Sequence, residues 1–345
     1  MSAVQQFRPV IVTGASGFIA KYVIAELLKR DFAVRGSLRD LGKADAVRSA
    51  VAGLGADPAK LTFFLADLTK DDGWDTGIDG AVAVMHLASP CPAVRQGAPE
   101  ASVAAARDGT LRVMLAAHRA IAKRVVLTSS TVAVMYGAGP LNGKTFTEAD
   151  FSDETNAKLT PFIKSKTVAE RTAWTFVNTK LGAPELTVIA PGVVQGPALD
   201  ADLSVSHKFL LSLANGRFKA LPKISFPVCD VRDVASAHIA AMLSPAAAGQ
   251  RFIVAGGEAR LFDMCQKLRA ELPDLQDKVP RFEWSDTAVR LRALSDDGLR
   301  AMLPDIGCHR ICSSDKAREV LGLSFRSADE AIGAAARSLR ALQLL

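Results

Sequence analysis

The sequence predicts an α/β protein with a doubly wound, parallel Rossmann-type sheet and a smaller C-terminal lobe. First, the stretch 9–20 joins a β-branched run to a helical pattern through two glycines. Second, short apolar runs alternate with helical patterns at the spacing of βαβ units. Third, the length of 345 residues exceeds what one hydrophobic core usually supports, so a second lobe is expected.

The glycine turn has the spacing that phosphate binding requires. Residues 10–12 form a continuous apolar run, typical of a strand covered on both faces. Gly14 and Gly17 then let main-chain amides at the start of the helix 18–30 approach a pyrophosphate. Ala20 takes the place of the third glycine, the smallest change that close helix packing tolerates. A tight turn that binds nothing is the alternative interpretation.

The other elements follow in alternation. Further strands are predicted at residues 32–38, 61–66, 81–88, 124–128 and 185–190, and further helices at 43–51, at 98–122 and from Pro161 onward. Thr160 is expected to cap the last of these helices, because a hydroxyl at that position accepts from the first turn. Ligands of an open parallel sheet bind at the carboxyl ends of its strands, so a site is expected there.

Composition is that of an ordinary soluble α/β protein, with 49% apolar and 23% charged residues. The net charge of +6 is spread along the chain, so no nucleic-acid partner is predicted. No apolar span approaches membrane length and a strand begins near the N-terminus, so we expect a cytoplasmic protein without a membrane contact. The scattered cysteines, Cys91, Cys229, Cys265, Cys308 and Cys312, favour a reducing compartment and predict no metal site.

The end of the second strand predicts which dinucleotide is bound. An acidic residue there holds the ribose of NAD, whereas a cation favours the extra phosphate of NADP. This sequence has Arg39 and Lys43 there, with Asp40 only after the arginine. A guanidinium grips a phosphate through paired hydrogen bonds, so NADP(H) is predicted, with solvated loop cations as the alternative. Asp67 and Leu68 suit an adenine edge and face, although Asp67 equally suits a turn cap.

Polar side chains follow the fifth strand and occupy the helix after Pro161. Residues 129–131 are two serines and a threonine at the carboxyl end of the strand. Phe162, Lys166 and Glu170 are four residues apart, so they share one helix face. His86 lies within an apolar strand and is interpreted as a core histidine.

With these motifs in view, the chain resembles the extended short-chain dehydrogenase/reductases of the NAD-dependent epimerase/dehydratase family. The branch it is most similar to contains the dihydroflavonol reductases, cinnamoyl-CoA reductases and microbial aldehyde reductases. The matching motifs run nearly the full length and are Thr13–Ile19, Val34–Arg39, Asp67–Leu68, His86–Pro90, Arg124–Ser130, Ser165–Lys166 with Ala169–Glu170, Pro191–Val194, Asp230–Val234 and Ser313–Ala317.

In that family a serine polarises the substrate carbonyl, a tyrosine donates the proton, and a lysine lowers the pKa of the phenol and holds the nicotinamide ribose. The resemblance gives Ser130 the role of the serine and Lys166 that of the lysine, and it puts Phe162 at the position of the tyrosine. A phenyl ring has no proton to give. The chain has two tyrosines, Tyr22 and Tyr136. Tyr136 is the candidate proton donor, and a loop tyrosine at the pocket rim is the alternative.

The resemblance also implies which residues hold the dinucleotide. They lie on the glycine turn, at the ends of the strands and before the following helices, and are Thr13, Gly14, Ser16, Gly17, Phe18, Ile19, Arg39, Lys43, Asp67, Leu68, Leu87, Ala88, Ser89, Thr128, Lys166, Pro191, Gly192, Val193, Val194 and Ser206.

The implied function is NADPH-dependent reduction of an aldehyde or ketone to an alcohol, slow because of Phe162. Thr131 or a water bound to Lys166 are the other candidate proton sources. A dinucleotide-binding protein without fast turnover, such as a sensor, is the alternative, and a nucleotide-sugar epimerase is a further one.

The predicted NADP-binding Rossmann domain spans residues 1–190 and is completed by about 226–257. Residues 191–225 and about 258–345 form the predicted substrate-binding lobe. An apolar pocket for a hydrophobic or aromatic carbonyl compound is expected to be lined by Cys91, Val132, Tyr136, Gln195, Phe209 and Leu210. By resemblance, the protein is a monomer or a homodimer.

Overall fold

The computed structural model describes residues 8–90, 99–137 and 143–345. The strands of this part are β1 (Val10–Thr13), β2 (Val34–Leu38), β3 (Leu61–Leu65), β4 (Ala83–His86), β5 (Arg124–Thr128), β6 (Thr145–Phe146), β7 (Glu185–Pro191), β8 (Val193–Gln195), β9 (Ser225–Asp230), β10 (Gln250–Val254), β11 (Gly257–Arg260) and β12 (Ile311–Cys312).

The helices of the same part alternate with these strands. They are α1 (Phe18–Lys29), α2 (Ala44–Gly53), α3 (Trp74–Ile78), α4 (Pro99–Arg119), α5 (Pro161–Thr179), α6 (Val205–Ala214), α7 (Val231–Leu243), α8 (Leu261–Glu271), α9 (Asp286–Arg292), α10 (Asp297–Met302), α11 (Asp315–Leu321) and α12 (Ala328–Ala341). Helix α5 begins as predicted, because Thr160 accepts a hydrogen bond from the Ile163 amide and Pro161 occupies the first turn.

Seven strands form one parallel sheet in the order β10-β7-β5-β4-β1-β2-β3. The chain winds outward from β1 through β2 to β3, then returns to β4 and winds outward the other way. The strand order therefore reverses between β1 and β4, where Thr13 pairs with His86. A doubly wound Rossmann-type sheet is confirmed, and its reversal point is the crevice where ligands of such sheets bind.

Both faces of the sheet are covered, which explains the continuous apolar runs. Val10 and Val12 belong to a buried cluster that contains residues of α1 and α7. Ile11, which points to the opposite face, belongs to a second cluster with residues of α4 and α5. Each strand therefore contributes alternate side chains to two cores, so period-2 alternation of polarity is absent from its sequence.

A third core lies in the C-terminal part. It contains buried residues of α6, α8, α9 and α12 and of the three-stranded sheet β11-β9-β8. Within 226–257, β10 is a strand of the seven-stranded sheet, whereas β9 pairs with β8 and β11 instead. The division of the chain into a cofactor domain and a substrate lobe stays a prediction.

The segment between β5 and α5 contains the short strand β6. Thr145 and Phe146 pair in parallel with Ile311 and Cys312 of β12, so the segment is tied to the C-terminal part of the chain. Over the described ranges, every helix is too short or too polar to cross a bilayer.

Candidate active site

The glycine turn lies at the carboxyl end of β1, against β4. Gly14 has a φ of +68°, and a Cβ there would lie 3.1 Å from the Cα of Ala88. The Gly14 amide donates to Ser37 Oγ at 2.9 Å, and the Gly17 amide donates to the Gly14 carbonyl at 2.9 Å. Position 14 therefore requires glycine, both for its backbone angles and for the close approach of the two strands.

Helix α1 starts with donor groups that its own backbone cannot satisfy. Its N-cap is Gly17, and no side chain of the described residues caps the helix there. The first intrahelical bond runs from the Lys21 amide to the Gly17 carbonyl, so the amides of Phe18 and Ile19 remain available. An uncapped helix N-terminus at the reversal point of the sheet is suited to bind a phosphate group.

Thr13 and His86 join the ends of β1 and β4. Thr13 Oγ1 lies 2.9 Å from His86 Nδ1 and accepts a hydrogen bond from the Ala88 amide at 2.9 Å. Burial, and then the charge of Lys166, lower the pKa of His86 to about 3. His86 is therefore neutral at physiological pH, and it contacts the Thr13 hydroxyl that holds the Ala88 amide.

The cations predicted to hold a phosphate follow β2. Arg39 is exposed and contributes to the lowered pKa of Asp67, after the larger effect of the Thr69 amide bond. Lys43 Nζ lies 3.0 Å from Asp202 Oδ2. Asp67 Oδ1 accepts two hydrogen bonds from Thr69, each at 2.9 Å, so this carboxylate does cap its own turn.

Ser130 and Lys166 approach the sheet from two elements that pack together. Ser130 caps the single 3₁₀ turn Thr131–Ala133, which contacts α5, and its Oγ lies 3.5 Å from the Pro191 carbonyl oxygen. Lys166 lies on α5 and lines a small polar cavity of about 10 Å³ together with Thr128 and Ser129. That volume is close to the minimum that holds one water molecule.

Phe162 occupies the first turn of α5, one turn before Lys166. Its side chain is 38% exposed although it is a large apolar group. The Phe162 ring is partly exposed to solvent, so packing of the core does not require a phenylalanine at this position.

A buried network that the sequence did not predict lies behind Lys166. Glu170 accepts from Ser129 Oγ at 2.5 Å and from Trp174 Nε1 at 3.2 Å. Arg251 Nε lies 2.5 Å from Glu170 Oε1, and its guanidinium stacks 3.7 Å from the centre of the Phe151 ring. The network ties α5 to the end of β5 and to β10. The only sequence signal for it was the shared helix face of Lys166 and Glu170.

Thr128, predicted at the cofactor, makes a buried contact with His238. His238 Nδ1 lies 2.8 Å from the Val234 carbonyl oxygen and therefore carries the proton, so Nε2 accepts from Thr128 Oγ1 at 2.7 Å. Burial lowers the pKa of His238 to about 4. The hydroxyl of Thr128 is thus held by a neutral imidazole.

Tyr136 makes a buried contact that does not fit the role of proton donor. Its hydroxyl donates to Asp305 Oδ1 at 2.9 Å, and the guanidinium of Arg310 lies 4.3 Å from the centre of its ring. The side chain is 6% exposed, and burial, followed by the charge of Asp305, raises the pKa of the phenol. The phenol is committed to a structural contact, so Tyr136 is not retained as a proton donor.

The residues after β7 surround the same edge of the sheet. The Gly192 amide donates to Val254, and Ser206 Oγ donates to the Val194 carbonyl at 2.5 Å. Gln195 is fully buried, and its Oε1 has no hydrogen-bond partner among the described residues. Leu210, expected in the pocket wall, is instead fully buried in the C-terminal core, whereas Val132 and Phe209 are partly exposed. Cys91 lies outside the described residues.

Comparison with known proteins agrees with this architecture. Residues 10–256 match the NAD dependent epimerase/dehydratase family. Cinnamoyl-CoA reductase CAD2 of Medicago truncatula is 34% identical over 283 residues, which cover 80% of this chain and 84% of that protein. Ketoreductase azaE of Aspergillus niger is 29% identical, with 96% of this chain and 97% of that protein covered.

A solved structure extends the similarity over the whole fold. Yeast methylglyoxal/isovaleraldehyde reductase Gre2, crystallised with NADPH, superposes with a TM-score of 0.81 at 27% identity, covering 98% of this chain and 100% of that one. The family match and this structure agree with the parallel sheet and its reversed strand order. The chain therefore belongs to the NAD dependent epimerase/dehydratase family, in its extended short-chain dehydrogenase/reductase branch of dihydroflavonol and cinnamoyl-CoA reductase type.

Proposed function

We propose that this protein is an NADPH-dependent carbonyl reductase that converts an aldehyde or ketone to an alcohol. The observation that carries the proposal is the convergence at one sheet edge of an uncapped helix N-terminus, a serine and a lysine. The related reductases named above support it, since one acts on cinnamoyl-CoA by its name and another is crystallised with NADPH.

The residues around the crevice fit a dinucleotide. Gly14 allows the turn to lie close to Ala88, and the first amides of α1, which no side chain caps, are available to a pyrophosphate. Arg39 and Lys43 would hold the 2′-phosphate. The ends of β4, β5 and β7 would surround the nicotinamide. When bound, NADPH supplies a hydride to the carbonyl carbon, and the carbonyl oxygen then takes a proton.

Ser130 and Lys166 are proposed to prepare the substrate carbonyl. The Ser130 hydroxyl donates a hydrogen bond to the carbonyl oxygen, which stabilises the negative charge that develops there. The Lys166 ammonium holds the nicotinamide ribose and adds a positive charge beside the same oxygen. Neither role requires a residue to change its protonation state.

The proton is proposed to come from a water held by Lys166, and the hydroxide that this transfer leaves takes up a proton from solvent. Phe162 has no ionisable group, and the phenol of Tyr136 is held by Asp305. The polar cavity beside Lys166, with Thr128 and Ser129 in its wall, offers a water partners on several sides. Without a positioned general acid, turnover is expected to be slower by roughly 10²- to 10⁴-fold than with one.

Phe162 also favours a second candidate function. The glycine turn, Arg39 and Lys43 support dinucleotide binding without a tyrosine at position 162, which suits a protein that binds the dinucleotide as a sensor. The two candidates differ in one outcome, namely whether bound NADPH is oxidised by a carbonyl compound.

The substrate is proposed to be an apolar or aromatic carbonyl compound. Val132 and Phe209 offer partly exposed apolar surface to such a substrate.

The test is a single-turnover experiment in which the protein is in excess over NADPH. Aromatic and aliphatic aldehydes and ketones are added in turn, and NADPH oxidation is followed by absorbance. A reductase oxidises bound NADPH with at least one of them, and Ser130→Ala slows this step by at least tenfold with unchanged NADPH binding. Tight NADPH binding without oxidation by any carbonyl compound would favour the sensor and contradict the reductase.

A further inference from the structure

Two lysines near the glycine turn are paired with two aspartates of one loop. Lys21 Nζ, on α1, lies 2.5 Å from Asp200 Oδ2. Lys43 Nζ, before α2, lies 3.0 Å from Asp202 Oδ2. The loop 198–202 between β8 and α6 therefore bridges α1 and α2 at the side where the 2′-phosphate of NADPH is proposed to bind.

The two pairs differ in how firmly they are held. The side chain of Lys21 is 4% exposed, and Asp200 also accepts from the Asp202 amide at 2.9 Å. The side chains of Lys43 and Asp202 are 50% and 56% exposed. The buried pair therefore anchors the loop, whereas the exposed pair is weak enough for a competing anion to replace it.

The exposed pair and the glycine turn share one cleft. This cleft has a volume of about 810 Å³ and is lined by Ser16 of the turn, by Lys43, by Asp200 and Asp202, and by apolar residues of α2. Hydrogen bonding to Lys43 is the largest cause of the lowered pKa of Asp202, so the carboxylate is charged at neutral pH.

We propose that Asp202 is a specificity-determining residue that competes with the cofactor 2′-phosphate for Lys43 and so limits the preference for NADPH over NADH. The inference rests on the proposed function, because it needs the 2′-phosphate to lie at Lys43. To bind NADPH, Lys43 exchanges a carboxylate for a phosphate, and the phosphate then lies beside the charge of Asp202. NADH carries a neutral 2′-hydroxyl in place of the phosphate, so the charge of Asp202 leaves its binding unchanged.

Removal of the Asp202 charge is expected to change the affinity for NADPH only modestly, because the Lys43–Asp202 pair is exposed. A carboxylate several ångströms from a phosphate dianion in water, screened by salt, weakens binding by about three- to tenfold. The effect shrinks as the ionic strength rises, since screening acts on both partners.

The experiment measures dissociation constants of NADPH and NADH by fluorescence titration of the full chain, for the native protein, Asp202→Asn, Lys43→Met and the double variant. Asp202→Asn is expected to bind NADPH about three- to tenfold more tightly at low salt and NADH as before. In the double variant the gain relative to Lys43→Met is smaller, because only the direct repulsion between Asp202 and the phosphate is then removed. Asp31→Asn is the matched control, since Asp31 forms a similarly exposed pair with Lys60 beside β3.

The outcomes separate this inference from the proposed function. If Lys43→Met weakens NADPH binding but Asp202→Asn changes nothing, or strengthens NADPH and NADH equally, the role of Asp202 is wrong and the cofactor assignment stands. If Lys43→Met and Arg39→Ala both leave NADPH binding unchanged, the 2′-phosphate does not lie there, and both proposals fail.

Discussion

Replacement of Glu170 by alanine is expected to test the buried network behind Lys166. The side chains of Glu170 and Arg251 are 0% and 7% exposed, and Ser129 and Trp174 both donate to the carboxylate. Its removal leaves the guanidinium of Arg251 buried without its counter-ion. Breaking a buried pair from one side typically costs about 3–5 kcal/mol, so Glu170→Ala is expected to lower the free energy of unfolding by that amount.

The same helix offers a matched control. Glu154 and Arg171 form a pair at 3.0 Å whose side chains are 27% and 47% exposed. Glu154→Ala is expected to lower the free energy of unfolding by less than about 1 kcal/mol, because the side chains of an exposed pair are hydrated in both the folded and the unfolded state.

The assay is urea unfolding followed by tryptophan fluorescence and by circular dichroism. In Glu170→Ala combined with Arg251→Met, the loss is expected to be smaller than the sum of the single losses, since no uncompensated charge remains. Equal losses for Glu170→Ala and Glu154→Ala would refute the buried ion pair as the link between α5 and the sheet.

Three further predictions concern the cofactor site and its supports. Arg39→Ala is expected to weaken NADPH binding by about tenfold and to leave NADH binding unchanged, as measured by titration; an equal loss for both would contradict a phosphate contact. Gly14→Ala is expected to cost about 1–3 kcal/mol in urea unfolding because of its positive φ and its contact with Ala88, and an unchanged midpoint would argue against that geometry. The folded state keeps His238 neutral down to a pKa of about 4, whereas the unfolded chain protonates it near 6.5, so stability falls as the pH drops below about 6.5. Between pH 7 and pH 5, the free energy of unfolding of His238→Gln is expected to fall by about 2 kcal/mol less than that of the native chain. Equal pH dependence of the unfolding free energy in the two proteins would contradict the low pKa of His238.

Local patterns were sufficient to predict the sheet and the glycine turn. The run 10–12 and the spacing of Gly14 and Gly17 depend on residues adjacent in sequence, so the strand, the turn and the helix follow from that stretch alone. The helix start at Thr160 and Pro161 was predictable for the same reason.

Contacts between residues distant in sequence were not predictable in this way. Tyr136 lies only six residues after Ser130, yet its hydroxyl binds Asp305, 169 positions further along the chain. The pairing of β9 with β8 and β11, and that of Lys43 with Asp202, likewise depend on how separate segments pack. A single sequence contains no periodicity that reports such pairs.

We propose that the site is a carbonyl reductase site that lacks only a positioned proton donor. Steady-state oxidation of NADPH by the native chain beside Phe162→Tyr, with the same aldehydes and ketones, tests it most directly. The exposed position of Phe162 admits the added hydroxyl without disturbing the core. In Phe162→Tyr, kcat is expected to rise by at least about tenfold with little change in NADPH binding. An unchanged kcat in a variant that still binds NADPH would contradict it.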